Sequence, residues 1–118
     1  KMQELNLQVP YQLNMILEII SKEVKENGFM DEDYCLYAHK KTITPELICY
    51  LDLYPTVSDG DKDIYPDFII KENLSLLYYG EQFEDVLLNV LEQKDNPTIE
   101  DYISALDYYS KKDTFKEL

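Results

Sequence analysis

The segment ELICYLDLY, Glu46 to Tyr54, alternates between two kinds of side chain and decides how the rest of the chain is interpreted. In a strand, successive side chains point to opposite faces of the sheet. One face of this segment is wholly apolar and consists of Leu47, Cys49, Leu51 and Leu53. The other face is mixed and consists of Ile48, Tyr50, Asp52 and Tyr54. The pattern predicts a strand of an antiparallel sheet whose apolar face packs beneath helices.

Two further segments are predicted to be strands. YCLYA, Tyr34 to Ala38, and LSLLYYG, Leu74 to Gly80, are short and rich in aromatic and large apolar residues. Gly80 is expected to end the last strand and to open a helix. The links between the strands are too short for a regular series of parallel crossovers. The sheet is therefore expected to be mainly antiparallel.

Three longer segments carry the periodicity of amphipathic helices. The first is predicted from about Pro10 to Glu26, with Pro10 in its first turn and Gly28 as a left-handed stop. The other two are predicted in EQFEDVLLNVLEQK, residues 81–94, and in TIEDYISALDYYSKK, residues 98–112. Each of the three has an apolar stripe that a core would cover.

The predicted elements follow the order helix, strand, strand, short helix, strand, helix, helix. A length of 118 residues fits one domain, residues 1–118. The predicted fold class is α+β, with a small, mainly antiparallel sheet of about three strands packed with N-terminal and C-terminal helices.

The charge narrows the class of partner. The chain has 24 acidic and 11 basic residues, a formal net charge of −13, and all of its basic residues are lysines. Proteins that bind nucleic acid or anionic membranes use Lys and Arg to neutralise phosphates. Direct binding to nucleic acid or to a membrane is therefore not expected, and no apolar run reaches the ~18 residues of a membrane-spanning helix. A basic protein partner fits the charge, as does simple solubility.

The two cysteines indicate the compartment. Cys35 and Cys49 both lie in predicted apolar strands and are expected to be reduced, buried and structural. A small secreted domain would carry a fuller disulfide framework. The predicted location is the cytoplasm.

The stretch TVSDGDKDIYPDF, residues 56–68, raises the question of a metal site. It holds four aspartates, at Asp59, Asp61, Asp63 and Asp67. An EF-hand loop beginning at Asp59 needs Gly at its sixth position and Glu at its twelfth, and here these positions are Ile64 and Ile70. No metal or other cofactor is therefore predicted. The stretch is interpreted as a loop in which Gly60 lets the backbone adapt, followed by a turn or two of helix from Pro66. It is either a solvated turn or a docking surface for a basic partner.

Catalytic arrangements find little support in the sequence. His39 is the single histidine and lies four residues after Cys35, but nothing local indicates a low-pKa thiol or an orienting third group. His39 is instead expected to be an exposed loop residue. Two cysteines and one histidine give too few zinc ligands, and the many carboxylates single out no catalytic pair. An enzyme is not expected, although a small carboxylate-dependent hydrolase stays an alternative.

Tyrosine is the abundant aromatic residue, with eleven copies and no tryptophan. Its large, rigid ring and polar tip make it common at protein interfaces. Tyr102 and Tyr109 lie on the apolar stripe of the last helix and are expected to be core residues. Tyr65 lies among the aspartates and is expected to lie outside the core.

The C-terminal part of the chain carries a resemblance to a known group of proteins. Residues 64–115 contain a Tyr-Pro-x-Phe turn, the helix entry YYGEQFEDV, and a last helix that ends in a tyrosine pair and an aspartate. In these features the chain resembles the small acidic immunity proteins encoded beside bacterial polymorphic toxins, in particular those of contact-dependent growth inhibition systems.

The resemblance implies an inhibitor and not an enzyme. Such a protein stays in the cytoplasm of the producing cell, binds the C-terminal toxin domain delivered by a neighbour, and neutralises it. Many of these toxins are nucleases with basic surfaces, which an acidic inhibitor complements. An alternative from the charge alone is an acidic adaptor or regulatory domain that binds another basic protein.

The candidate toxin-binding residues come from the charge and the tyrosine content, since the resemblance carries over no contact positions. They belong to the aspartate stretch and to an earlier acidic run: Asp59, Asp61, Asp63, Tyr65, Asp67, Asp31, Glu32 and Asp33.

Overall fold

A four-stranded antiparallel sheet forms the centre of the computed structural model, which describes residues 4–30 and 33–118. Its strands are β1 (Tyr11–Gln12), β2 (Cys35–Ala38), β3 (Ile48–Asp52) and β6 (Ser75–Tyr78), in the spatial order β1-β3-β2-β6. Each neighbouring pair is antiparallel. The predicted α+β class with a mainly antiparallel sheet is confirmed, and β1 is a strand that the sequence pattern did not indicate.

The pairing of β2 with β3 shows which side chains lie on each face of the sheet. Leu36 lies opposite Leu51, and the next pair is Tyr37 opposite Tyr50. Because side chains alternate along a strand, the first pair points to one face and the second pair to the other. The leucine face belongs to the main core, and the tyrosine face belongs to a second, smaller cluster.

Three long helices cover the leucine face. They are α1 (Leu13–Asn27), α3 (Gly80–Gln93) and α4 (Ile99–Lys112), and all three contact one another. The stripes predicted from the sequence are the buried ones: α1 buries Leu13, Ile16, Leu17, Ile20 and Val24. Thr98 caps α4 by accepting from the Asp101 N–H at 3.1 Å, and the Asp101 carboxylate accepts in return from the Thr98 N–H.

The tyrosine face is covered more thinly, by the short helix α2 (Asp67–Lys71) and the segments around it. Four residues of its cluster are buried, namely Cys35, Tyr37, Ile69 and Leu74. Six others are only partly buried, namely Tyr50, Tyr54, Tyr65, Phe68, Leu76 and Tyr79. Most of the accessible aromatic surface of this face therefore comes from tyrosine.

The predicted start of the first helix is wrong, while its end is confirmed. Pro10 lies before the helix, because residues 11–12 stay extended and pair with β3. The first N–H groups of a helix have no partner within it. Here they donate to carbonyls of the segment that precedes β3: Leu13 to Leu47 at 2.8 Å and Asn14 to Pro45 at 2.9 Å. At the other end, Gly28 adopts φ 84° and closes the helix in the left-handed region, as predicted.

The end of β3 also departs from the prediction. Leu53 was expected on the buried apolar face but is 57% exposed, whereas Asp52 is only 1% exposed. The Asp52 carboxylate accepts from the Leu53 N–H at 2.8 Å and from the Gln8 side-chain amide at 3.2 Å. These bonds satisfy the buried acid, and the strand ends here, so the alternation does not reach Leu53.

The two cysteines are buried and free, on opposite faces of the sheet. Cys35 belongs to the tyrosine side and Cys49 to the helical side, so the sheet itself separates their thiols. Burial raises the pKa of both, that of Cys49 to about 12. Both side chains pack as small apolar groups, in agreement with the sequence prediction. No helix in the described part of the chain is long and apolar enough to cross a bilayer.

We expect the protein to lose stability in strong alkali because two core tyrosines must remain neutral. Tyr37 and Tyr78 are buried and donate to the Leu53 and Leu106 carbonyls at 2.8 and 2.7 Å. Burial is the main cause that raises the pKa of both hydroxyls above the ordinary value of about 10. Their contribution should be complete below about pH 10, the unfolded-state pKa of tyrosine, and should fall as pH rises towards the folded-state pKa.

Urea unfolding between pH 7 and 11.5, with tyrosinate absorbance followed in parallel, would measure this loss. A Tyr37→Phe, Tyr78→Phe double variant serves as the control and should show a flatter alkaline limb. Ionisation of all eleven tyrosines near pH 10 in the folded protein would contradict the prediction.

Candidate protein-binding surface

The aspartate stretch forms a small hairpin and not the irregular loop that was predicted. Strands β4 (Thr56–Val57) and β5 (Asp63–Ile64) pair with each other and not with the main sheet. At the tip, the Ser58 carbonyl accepts from the Asp61 N–H at 3.0 Å, and the Ser58 N–H donates to the Lys62 carbonyl at 2.9 Å. The aspartates therefore occupy defined positions on a turn.

The left-handed residue of this turn is Asp61, with φ 60°. Gly60, which the sequence analysis expects to let the backbone adapt, does not itself adopt a positive φ. Aspartate and asparagine tolerate this conformation better than most residues. The acidic residue at position 61 therefore also serves the turn geometry.

The hairpin exposes acidic and apolar side chains together. All four strand residues are exposed, with Val57 at 66% and Ile64 at 49%. Within the described residues, the three carboxylates of the hairpin form no hydrogen bond or ion pair; they belong to Asp59, Asp61 and Asp63. The hairpin thus presents unneutralised negative charge beside uncovered apolar surface.

Tyr65 connects the hairpin to the sheet. Its ring meets the buried Tyr37 ring edge-on, with the centroids 6.2 Å apart. Three residues later, Phe68 of α2 packs against Tyr50 at 5.6 Å, and Ile69 is buried. A two-stranded hairpin alone is marginal in water, so these contacts are what hold it. Tyr65 is half-buried and packs against the second cluster. The prediction that it lies outside the core therefore holds for the main core and not for the second cluster.

Two further tyrosines stack beside this point. The rings of Tyr54 and Tyr79 are 5.8 Å apart and nearly parallel, at 18°. The Tyr54 hydroxyl accepts from the Glu81 N–H at 2.9 Å, at the first turn of α3. Both rings are half-buried. Together with Tyr65 they form what we call the tyrosine patch.

Three exposed carboxylates act on the patch. After burial, which is the largest cause, the charges of Asp33 and Glu81 raise the pKa of Tyr54. In the same way Asp63 raises the pKa of Tyr65. The fold therefore brings an acid from the run before β2 and an acid from the hairpin to one aromatic surface.

The predicted site residues have different positions in the structure. Asp59 and Asp61 lie at the hairpin tip, at the far end from Tyr65, and Asp67 is the exposed first residue of α2. Of the earlier acidic run, Asp33 is exposed and its charge contributes to the raised pKa of Tyr54, while Asp31 and Glu32 lie outside the described residues.

Sequence reasoning missed three members of this surface. Tyr54 and Tyr79 were assigned to the ends of predicted strands, and Glu81 to the start of a helix. The sequence does contain one signal, since YYGE places an aromatic residue, a glycine and an acid at a strand-to-helix junction. Nothing local indicates that Tyr54, 25 residues earlier in the chain, would stack there.

The junction at Gly80 fixes the geometry of the patch. A Cβ at this position would lie 2.2 Å from the Tyr34 carbonyl oxygen and 2.9 Å from the Tyr54 hydroxyl. Burial raises the pKa of the neighbouring Cys35 thiol, and the backbone of Gly80 partly offsets that effect. Glycine is required here because the helix start presses directly on the chain that enters β2.

The positions of His39, Cys35 and the metal-binding side chains give little support to the catalytic and metal-binding arrangements considered from the sequence. His39 is exposed, as predicted, and its ring packs edge-on against Tyr50 at 6.3 Å. Cys35 is fully buried, which gives its thiol no path to a substrate. In residues 4–30 and 33–118, no three side chains of metal-binding type come close enough to hold an ion.

We expect Gly80→Ala to lower the free energy of unfolding by about 3 kcal/mol, because the new methyl group must displace backbone and not a flexible side chain. Urea denaturation would measure the change. Gly60→Ala is the matched control: its nearest contact would be at 4.0 Å, so it should change stability by no more than about 0.5 kcal/mol. Equal effects of the two substitutions would show that the close approach at Gly80 is not a constraint.

Comparison with known protein families gives a match over most of the chain. Residues 11–118 match a domain of unknown function, DUF7716. No curated protein and no solved structure shows significant similarity to the chain.

Proposed function

We propose that this chain, which belongs to the DUF7716 family, is an immunity protein that binds a basic toxin domain and neutralises it, without catalytic activity of its own. The observation that carries the proposal is the exposed hairpin, with three unneutralised carboxylates and two exposed apolar side chains, next to a patch of half-buried tyrosines. The resemblance of residues 64–115 to contact-dependent growth inhibition immunity proteins supports the same assignment.

The distribution of charge favours a cationic partner. The net charge is −13, and the hairpin contributes three of the negative charges around the single Lys62. A surface of one sign attracts the opposite sign over a Debye length of about 10 Å at 0.1 M salt and raises the rate of association. A nuclease domain has Lys and Arg that bind phosphates, so an acidic hairpin would compete for the groups that its substrate needs.

The composition of the surface fits a protein interface better than a merely solvated one. Interfaces combine aromatic and apolar groups at the centre with a polar rim. Here the tyrosines and the apolar residues Val57 and Ile64 lie among exposed acids. A surface that serves only solubility has no need of exposed β-branched residues at a hairpin.

The proposed place of action is the cytoplasm of the producing cell. Two buried, unpaired cysteines suit a reducing compartment. An immunity protein in that compartment meets an incoming toxin before the toxin reaches nucleic acid.

Co-expression is the direct test of function. The proposal requires a large toxin gene that ends immediately upstream of this chain's gene, and the C-terminal domain of that toxin would be induced in a host, with and without the chain. We expect growth arrest that the chain relieves, together with a stable complex of the two purified domains. If a complex forms but the upstream domain is harmless, the chain is an adaptor. If no complex forms and the arrest persists, the proposed function is wrong.

The hairpin should determine how fast that complex forms. Asp59→Asn, Asp61→Asn and Asp63→Asn together should lower the association rate by roughly tenfold at low salt and flatten its salt dependence. Asparagine is chosen because it tolerates the left-handed conformation of residue 61, so the fold should be retained.

The matched control removes the same three charges at the far end of α3, from exposed residues: Glu92→Gln, Asp95→Asn and Glu117→Gln. Stopped-flow measurements over a range of salt concentrations would compare both variants with the parent. Equal slowing by the two triple variants would mean that net charge alone, and not the hairpin, attracts the partner.

A further inference from the structure

We propose that the tyrosine patch binds an arginine side chain of the partner, with the guanidinium lying against the rings of Tyr54 and Tyr79 and facing the carboxylates around them. The inference deepens the proposed function, because it names the group of the basic partner that this surface recognises. It can also be tested without the partner.

The rings offer a surface of the right shape. The rings of Tyr54 and Tyr79 are nearly parallel, at 18°, and both residues are half-buried, so each keeps part of its surface accessible. Tyr65 and Tyr79 both pack against the same buried cluster of Cys35, Tyr37, Ile69 and Leu74. The face of an aromatic ring carries negative electrostatic potential and attracts a cation within about 6 Å of its centroid.

The carboxylates that border the rings are available to a cation. Glu81 follows the Tyr79–Gly80 junction directly, Asp63 precedes Tyr65 by two residues, and Asp33 adjoins the chain that presses on Gly80. All three are exposed, and none forms an ion pair within the described residues. The border therefore carries up to three negative charges.

The start of α3 opposes a cation, but weakly. A helix N-terminus is equivalent to about half a positive charge and by itself favours an anion. The Glu81 N–H donates to the Tyr54 hydroxyl at 2.9 Å, so this N–H is not free to bind an anion. Three carboxylates outweigh half a charge, and the patch therefore selects a cation.

Arginine fits this surface better than lysine. The guanidinium is planar, stacks on aromatic faces, is less strongly hydrated than an ammonium, and bonds a carboxylate through two N–H groups. In the proposed site the nearly parallel rings would provide the stacking, and one of the neighbouring carboxylates would accept the paired hydrogen bonds. A lysine ammonium would keep only the charge attraction.

The patch is held in place before any partner arrives. Tyr54 is fixed by its bond to the Glu81 N–H, and Tyr65 by its edge contact with Tyr37. Gly80 sets the position of Tyr79 through its contact with the Tyr34 carbonyl. Side chains that are already ordered lose little entropy on binding, which favours affinity.

Nuclear magnetic resonance of the whole chain can test the inference with blocked arginine, N-acetyl-arginine methylamide, and with the matching lysine and citrulline compounds. Arginine should shift the ring resonances of Tyr54, Tyr65 and Tyr79 at tens of millimolar, with lysine weaker and citrulline, which lacks the charge, without effect. Tyr79→Leu should weaken arginine binding about tenfold, because the cation–π contact with the Tyr79 ring is lost. Tyr108→Leu, a half-buried tyrosine on α4, should leave the binding unchanged.

Asp63→Asn provides a second variant, because this exposed residue can change without affecting the core. It should weaken the binding of arginine and of lysine alike and leave the preference between them unchanged.

Equal binding of citrulline, shifts that avoid the three rings, or full binding by a correctly folded Tyr79→Leu variant would overturn the inference. The proposed function fails separately. Protection from the toxin without arginine binding rejects only the arginine site, and arginine binding without protection rejects only the immunity function.

Discussion

The contact between Gly80 and the Tyr34 carbonyl fixes how the two sides of the molecule are joined. A helix can start this close to a neighbouring backbone only where there is no side chain. From this point α3 runs along the helical side of the sheet, while Tyr79, immediately before it, turns to the tyrosine side. One residue without a Cβ thus sets both the direction of a core helix and the position of a surface ring.

The two faces of the sheet differ in what they contribute to the protein: one face supplies the core, and the other keeps much of its surface accessible. On the helical side, α1, α3 and α4 bury almost all of the aliphatic core. On the other side, a five-residue helix and a hairpin cover mainly aromatic residues, and much of that surface stays accessible. Burial of apolar surface is the main favourable term in folding. The helical side therefore supplies most of the stability, which leaves the composition of the tyrosine side less constrained by folding.

Periodic elements could be predicted from the sequence because a single segment contains their whole signal. The stripe of α1 and the strand at Cys35–Ala38 appear close to where the pattern indicates. The features that could not be predicted depend on contacts between distant segments. The hairpin has strands of two residues and is stabilised by Tyr65 on Tyr37. The buried Asp52 carboxylate is satisfied in part by Gln8, 44 residues away in the chain. The stack of Tyr54 on Tyr79 is of the same kind: neither residue has a local pattern that places it beside the other.

The ion pairs of the protein are unevenly distributed, and this leaves more unpaired negative charge on one side for a partner to bind. The ion pairs found within residues 4–30 and 33–118 are Lys94 with Asp101 and Lys111 with Asp107, at 3.0 and 3.1 Å, and both involve α4. The hairpin has only Lys62 among its aspartates. Like charges held together repel and lower the stability of the free protein. A partner that brought positive charge to this side would relieve that repulsion, so part of its binding energy would come from a strain that the free protein already contains. The side of the molecule that contributes least to the stability of the fold is therefore the side where a cationic partner would relieve the most charge repulsion.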